Sequence, residues 1–207
     1  TQASTERVQN LRLEYWELVR DIKPEDLIFI DETGINLSLV RTYARSSKGM
    51  RAYGKRPYRR GQNVSLIGAM ALKGIVGAMT VEGGTDGDVF QAFVKQLLVP
   101  CLWPGAVVVM DNLSAHKVMG IQEIIEATGA TVVYLSPYSP DFNPIENCWS
   151  KLKEYLRSVS ARSRDALETA LDAGLELISL KDIRNWFAHC CYCDRNQEVP
   201  IVASEIA

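Results

Sequence analysis

With 207 residues, 47% of them hydrophobic and 23% charged, the chain has the composition of a globular protein large enough for one full core. No run approaches the roughly 18 apolar residues of a membrane-spanning helix, and "TQASTERVQN" lacks the apolar heart of an export signal, so no membrane association is expected and a cytoplasmic location is the default. The net charge of −2 conceals an asymmetry: from Thr33 to Val81 there is no Asp or Glu, while Arg41, Arg45, Lys48, Arg51, Lys55, Arg56, Arg59, Arg60 and Lys73 supply nine positive charges.

The chain opens on Thr1 rather than Met, and Val8, Leu11, Tyr15, Trp16 and Val19 recur at helical spacing, so the start reads as a helix from a fragment with something upstream missing. "LIFID" is a short apolar run ending in the carboxylate of Asp31. The basic stretch follows, interleaved with Tyr43, Tyr53 and Tyr58 and with three glycines. It suits a surface that meets a polyanion, or is simply a solvated loop. "VSLIGAM" and "GIVGAMTV", joined through Ala71-Leu72-Lys73, predict an antiparallel hairpin. "TDGDVFQAFVKQLLVP" predicts a helix capped by Asp86 and stopped before Pro100.

"AVVVMDN" is an almost pure apolar run, as in a strand buried on both faces, and it too ends on a carboxylate, Asp111. A helix over "HKVMGIQEIIEATG" and a third buried strand, "TVVYL", come next. The loop "SPYSPDFNP" then leads into a helix whose apolar stripe is Ile145, Trp149, Leu152 and Leu156. This order predicts a mixed α/β sheet, part antiparallel hairpin and part parallel, with ligands beyond the carboxyl ends of the strands.

Two readings of Glu146 stand side by side. Asn143-Pro144-Ile145-Glu146 has the form of a helix start, with Asn143 as N-cap and Glu146 reaching back as in a capping box. Alternatively, the prolines at 137, 140 and 144 stiffen the approach so that Glu146 is aimed at a ligand. Asp31, Asp111 and Glu146 each sit near an element end that one sheet can bring together. Three converging acids repel one another unless divalent metal neutralises them, and a pair of magnesium ions serves phosphoryl transfer in this way. Ser150, Lys153 and Arg157 share a polar helix face suited to phosphate. Asn112, Ser114, His116 and Lys117 are candidates for phosphate or for supporting a metal ligand, His116 being equally a helix-start residue. Glu32 falls on the opposite strand face from Asp31 and is not expected to be a ligand.

Other chemistries find little support. Neither G-x-x-x-x-G-K-[ST] nor G-x-G-x-x-G occurs. "HCCYC" (His189 to Cys193) lacks the two separated pairs of a structural zinc site, and the five cysteines are an odd number that reads as reduced thiols.

The stretches "FIDETGINL", "MDNLSAHK" and "LSPYSPDFNPIENCWSKLK", with 34 residues between Asp111 and Glu146, resemble the three acidic motifs of DDE transposases, more narrowly the bacterial insertion-sequence relatives of the mariner elements. The resemblance implies a ribonuclease H-like fold in which Asp31, Asp111 and Glu146 are catalytic and bind two Mg2+ ions, with Mn2+ as substitute. It implies cleavage at transposon ends and attack of the freed 3′-hydroxyl on target DNA, typically at TA. DNA is thus the expected partner, with a homodimer in the DNA complex and a nucleoid association in a bacterial cytoplasm. The DNA-contacting set is Arg41, Arg45, Lys48, Arg51, Lys55, Arg56, Arg59, Arg60, Lys117, Lys153 and Arg157, and the supporting set is Asn112, His116 and Asn143. "DIRNWFAHCCYC" resembles the family's C-terminal helix, with Cys191 where Gly is more usual.

The implied organisation is an N-terminal helix and linker over 1–24 from a missing DNA-binding module, a catalytic domain over 25–160 with a basic insertion at about 37–62, and a helical extension over 161–207. Two alternatives remain open from sequence, a ribonuclease H-like nuclease that only hydrolyses and a non-catalytic DNA-binding or assembly module derived from a transposase.

Overall fold

The computed structural model describes residues 5–58, 61, 63–118 and 120–194. Arg59, Arg60 and the Lys117 side chain lie outside the described residues. The apolar runs become one sheet of five strands, β1 (Leu27–Ile35), β2 (Val64–Ala71), β3 (Gly74–Glu82), β4 (Val107–Met110) and β5 (Thr131–Tyr134), in the spatial order β3-β2-β1-β4-β5. β2 is antiparallel to β1 and β3, whereas β4 runs parallel to β1 and β5. The mixed sheet is therefore the one that the hairpin and the alternating second half imply.

β1 lies in the middle because it is apolar on both faces. Leu27 and Phe29 enter one core, Ile28 and Ile30 the other, as the two-residue strand period requires. The first core is closed by α1 (Glu6–Val19), α4 (Pro144–Val159), α5 (Arg164–Glu176) and α6 (Leu180–His189), which contribute Tyr15, Trp149, Leu171 and Phe187 among others. The second is closed by α2 (Gly87–Phe93) and α3 (Ile121–Glu126), through Phe90, Phe93, Ile121 and Ile125. Each such fully buried side chain contributes about 1.5–3 kcal/mol relative to exposure.

Two helices differ from the sequence expectation. Asp86 does cap α2, its carboxylate accepting from Val89 N at 2.9 Å, but the helix then widens into a π turn over Val94–Leu98 and tightens into a 3-10 turn over Val99–Cys101. Pro100 offers no N–H to continue an α-helix. The helix expected from His116 begins only at Ile121, because Gly120 takes φ 95° in the left-handed region and separates α3 from a 3-10 turn at Ser114–Lys117.

From Asn36 to Tyr58 the chain forms no strand or helix. Its root is fixed, with Arg162 Nη1 donating to Leu37 O at 2.9 Å and Leu39 O at 3.1 Å. Beyond the root, Tyr43, Tyr53 and Tyr58 are 90%, 87% and 101% exposed, so the aromatic rings between the basic residues add nothing to the core. Among the described residues no helix is long and apolar enough to cross a membrane.

Candidate functional site

The site begins with strand register. β1 and β4 pair in parallel with Phe29 opposite Val109, and continuing two residues brings Asp31 level with Asp111 on adjacent strands. Both residues then fall on the face that carries Phe29 and Val109, which is the face covered by α4. Glu146 enters from the first turn of α4. Asp31, Asp111 and Glu146 together line a cavity of about 360 Å³, with Asn112, Ser136, Ser139 and Asn143 among its other walls.

Asp31 is 9% exposed, and burial is the main reason its carboxyl is pushed up to about 7, followed by repulsion from Glu146 and, more weakly, from Asp111. It is thus the acid that feels both others. Its Oδ2 accepts from the indole Nε1 of Trp149 at 3.2 Å.

Asp111 is held quite differently. Burial works to raise its carboxyl, but hydrogen bonds from His116 and from the Leu113 N–H prevail and keep it below the ordinary carboxylate range. His116 Nδ1 lies 2.7 Å from Asp111 Oδ1, and its Nε2 lies 3.1 Å from Glu32 Oε1. The imidazole packs against Phe90, with ring centroids 4.1 Å apart. Burial alone would lower its affinity for a proton, yet the two carboxylates outweigh burial and raise it to about 9, so at neutral pH it is an imidazolium that donates from both nitrogens. Glu32 is on the face opposite Asp31, and its partner there is His116, which carries its influence to Asp111.

Of the two readings of Glu146, the capping box does not form. Asn143 occupies the N-cap position, and its backbone oxygen accepts from Glu146 N at 3.2 Å, but its side chain makes no cap bond. The bonding N-caps Asp86, Ser163 and Ser179 have ψ of 179°, 163° and 156°, whereas Asn143 has 95°, a backbone turned away from that geometry. Asn143 is buried against the cavity and its Oδ1 has no hydrogen-bond partner among the described residues. Asn112 instead braces the scaffold, its Nδ2 donating to Leu135 O at 2.6 Å between the ends of β4 and β5.

Among the described residues no three His, Cys, Asp or Glu side chains are gathered into a ready-made single-ion cluster. Magnesium asks for less, one or two carboxylates per ion with remaining positions left to water or phosphate. Three carboxylates and an orphaned amide oxygen on one cavity are a hard-oxygen set that fits it, and a cation there would relieve the repulsion that Asp31 feels from Glu146 and Asp111.

The basic candidates lie elsewhere on the surface. Arg41 and Arg157 line a second cavity of about 510 Å³ with Tyr43 and Ser150. Arg45, Lys55 and Arg56 line an adjoining one with Arg162. Lys48 and Arg51 are exposed and Lys153 is half-buried on α4. Sequence reasoning overlooked the bonds of Trp149 and Glu32. The available signals were Trp149 one helical turn after Glu146, and Glu32 and His116 as polar residues beside two of the acids.

The DDE superfamily endonuclease family matches residues 26–168. No curated protein sequence matches the chain. Among solved structures, the Mos1 transposase paired-end complex with left transposon end aligns with a TM-score of 0.76 at 17% identity, covering 90% of this chain and 60% of that one. The Mos1 mariner paired-end complex with Mn gives 0.74 at 17%, covering 94% and 64%. The catalytic domain of Mos1 mariner transposase gives 0.68 at 14%, covering 93% and 91%. The chain spans less than two thirds of the first two relatives and most of the third, and shares with them the ribonuclease H-like fold, a mixed five-stranded sheet flanked by helices. The match over 26–168 covers more than half of the chain, which therefore belongs to the DDE superfamily endonucleases.

Proposed function

We propose that this chain is the catalytic domain of a mariner-like transposase, of the bacterial insertion-sequence branch, which cleaves DNA at transposon ends and joins the freed 3′-hydroxyl to target DNA at TA. The observation that carries this reading is the convergence of Asp31, Asp111 and Glu146 on one cavity, with Asp31 lifted to about 7 by burial and by the other two acids. Those three residues would hold two Mg2+ ions, or Mn2+ in their place. Bound there, the ions supply the charge that activates an attacking oxygen and steadies a leaving one. His116 keeps Asp111 ionised and oriented, as carboxylate–histidine pairs around metal sites do. Asn143 Oδ1 accepts a hydrogen bond from a ligand's water or hydroxyl in the same cavity. The basic segment carries the DNA backbone, its exposed Arg and Lys side chains neutralising phosphates, and it meets the second subunit of a homodimer assembled on nucleoid DNA.

The test is a cleavage and joining assay with the full-length protein on terminal-repeat DNA, with magnesium and with calcium. Magnesium-dependent cleavage followed by joining of a pre-cut 3′-hydroxyl end is the expected result. Cleavage without joining would assign a hydrolytic nuclease, and DNA binding without cleavage an assembly module.

A further inference from the structure

Trp149 has the spacing of a core residue, and at 1% exposure most of it is one. Its indole N–H is a donor that must find an acceptor once buried. Carbonyl groups are the usual recipients in such a core. Here the recipient is a carboxylate 118 residues away in sequence, Asp31 Oδ2 at 3.2 Å.

The far edge of the ring is fixed as well. A Cβ on Gly68 would lie 2.5 Å from Trp149 Cη2 and 3.0 Å from Cζ2, so the ring occupies space that only a glycine leaves open. Gly68 is the cross-strand partner of Asp31 in the β1–β2 ladder. The indole is therefore seated on the sheet at the level of Asp31, with one edge over Gly68 and its N–H on the carboxylate. Trp149 also stands three residues after Glu146 on the same helix, so positions 146 and 149 share a face of α4.

We propose that Trp149 is a positioning residue whose indole N–H fixes the Asp31 carboxylate in the orientation that takes a divalent cation, and so sets Asp31 and Glu146 at a constant separation. One carboxylate oxygen is engaged by the indole, which leaves the group a single way of presenting itself to the cavity. The inference rests on the divalent-metal reading of the site and deepens it, since it assigns a role to a residue outside the three acids.

The experiment measures Mn2+ binding by titration calorimetry and by the electron paramagnetic resonance of free Mn2+, using this 207-residue chain. Four proteins are compared: wild type, Trp149→Phe, a protein with 3-benzothienylalanine at position 149 alone, and Asp31→Asn. The benzothienyl ring keeps the bicyclic shape and lacks the N–H, so it separates the hydrogen bond from the packing should Trp149→Phe fold poorly. The expected result is Mn2+ affinity weakened on the order of 10-fold or more in the benzothienyl protein, as for other residues that orient a metal ligand, with a melting temperature close to wild type. Unchanged affinity in that protein, alongside lost affinity in Asp31→Asn, would overturn the role of Trp149 and leave the metal site standing. Unchanged affinity in Asp31→Asn would overturn the metal reading itself.

Discussion

Arg12 and Asp141, 129 residues apart, meet as a two-pronged ion pair, Nη1 to Oδ1 at 2.9 Å and Nη2 to Oδ2 at 2.5 Å. The same guanidinium donates to Ser139 Oγ at 2.8 Å and lies 4.3 Å above the Phe142 ring. From the other end of the chain the Tyr192 hydroxyl donates to Phe142 O at 2.7 Å, and the Tyr15 hydroxyl lies 2.6 Å from that of Tyr192. The turn that leads into Glu146 is thus clamped by α1 and by the segment after α6. Arg12→Ala is expected to lower unfolding stability by about 1–2 kcal/mol, since it removes a bidentate pair and a cation over a ring, and Asp141→Asn by less. Urea denaturation measures both, and limited proteolysis of Arg12→Ala should show new cleavage between residues 136 and 143.

Glu146→Gln separates the two readings of the helix start. Because the Glu146 side chain makes no cap bond, the substitution should change stability by no more than about 0.5 kcal/mol. Cleavage of end DNA by the full-length protein should fall at least about 100-fold, the cost of losing one charged partner at a reacting centre. Cleavage near the wild-type rate would remove Glu146 from the chemistry.

The stability of the C-terminal helices should depend on acid in a specific way. Asp182 closes a capping box with Ser179 at the start of α6 and pairs with Lys151 of α4 at 2.6 Å, and these bonds, that of Lys151 first, hold its carboxyl down at about 2. A depressed folded value means that its contribution is complete above the unfolded value of 3.8 and is lost as pH falls toward 2. The side chains are 40% and 29% exposed, so solvent screening leaves about 1 kcal/mol at pH 7. The gap in unfolding free energy between wild type and Asp182→Asn should therefore be constant from pH 7 to about 5 and close between about 4 and 2. A gap that persists at about pH 2 would assign the effect to something other than charge.

Replacing Arg45, Arg51 and Arg56 by Ala should weaken DNA binding and flatten its salt dependence, by up to about 0.9 in the log–log slope for each phosphate left without its cation. Fluorescence anisotropy over a series of salt concentrations reads the slope. An unchanged slope would make the segment a solvated loop.

The strands and the three acids were legible because each depends on local pattern: an apolar run ending in Asp31 or Asp111, and prolines before Glu146. The break before α3 was not, since a glycine inside a helical pattern looks tolerable until Gly120 takes φ 95°. The N-cap position of Asn143 was legible, but the absence of its side-chain bond was not, because residue types at the right spacing do not fix ψ. Trp149 was assigned to the apolar stripe correctly, yet its donor could not be placed, since the acceptor sits on a strand 118 residues earlier. Arg12 carried no signal at all until the turn at Pro140–Phe142 was brought beside it.

The central position of β1 makes the three acids unequal in mobility. Asp31 belongs to a strand bonded on both sides, to β2 through a register that includes Asp31 and Gly68, and to β4 below it. Moving Asp31 would mean breaking the middle of the sheet. Asp111 lies one residue past the end of β4, and Glu146 sits in the first turn of a helix whose approach is a loop. The site is therefore a tripod with one leg set in concrete and a second tied to it through Trp149, so that any adjustment around a ligand falls first to Asp111.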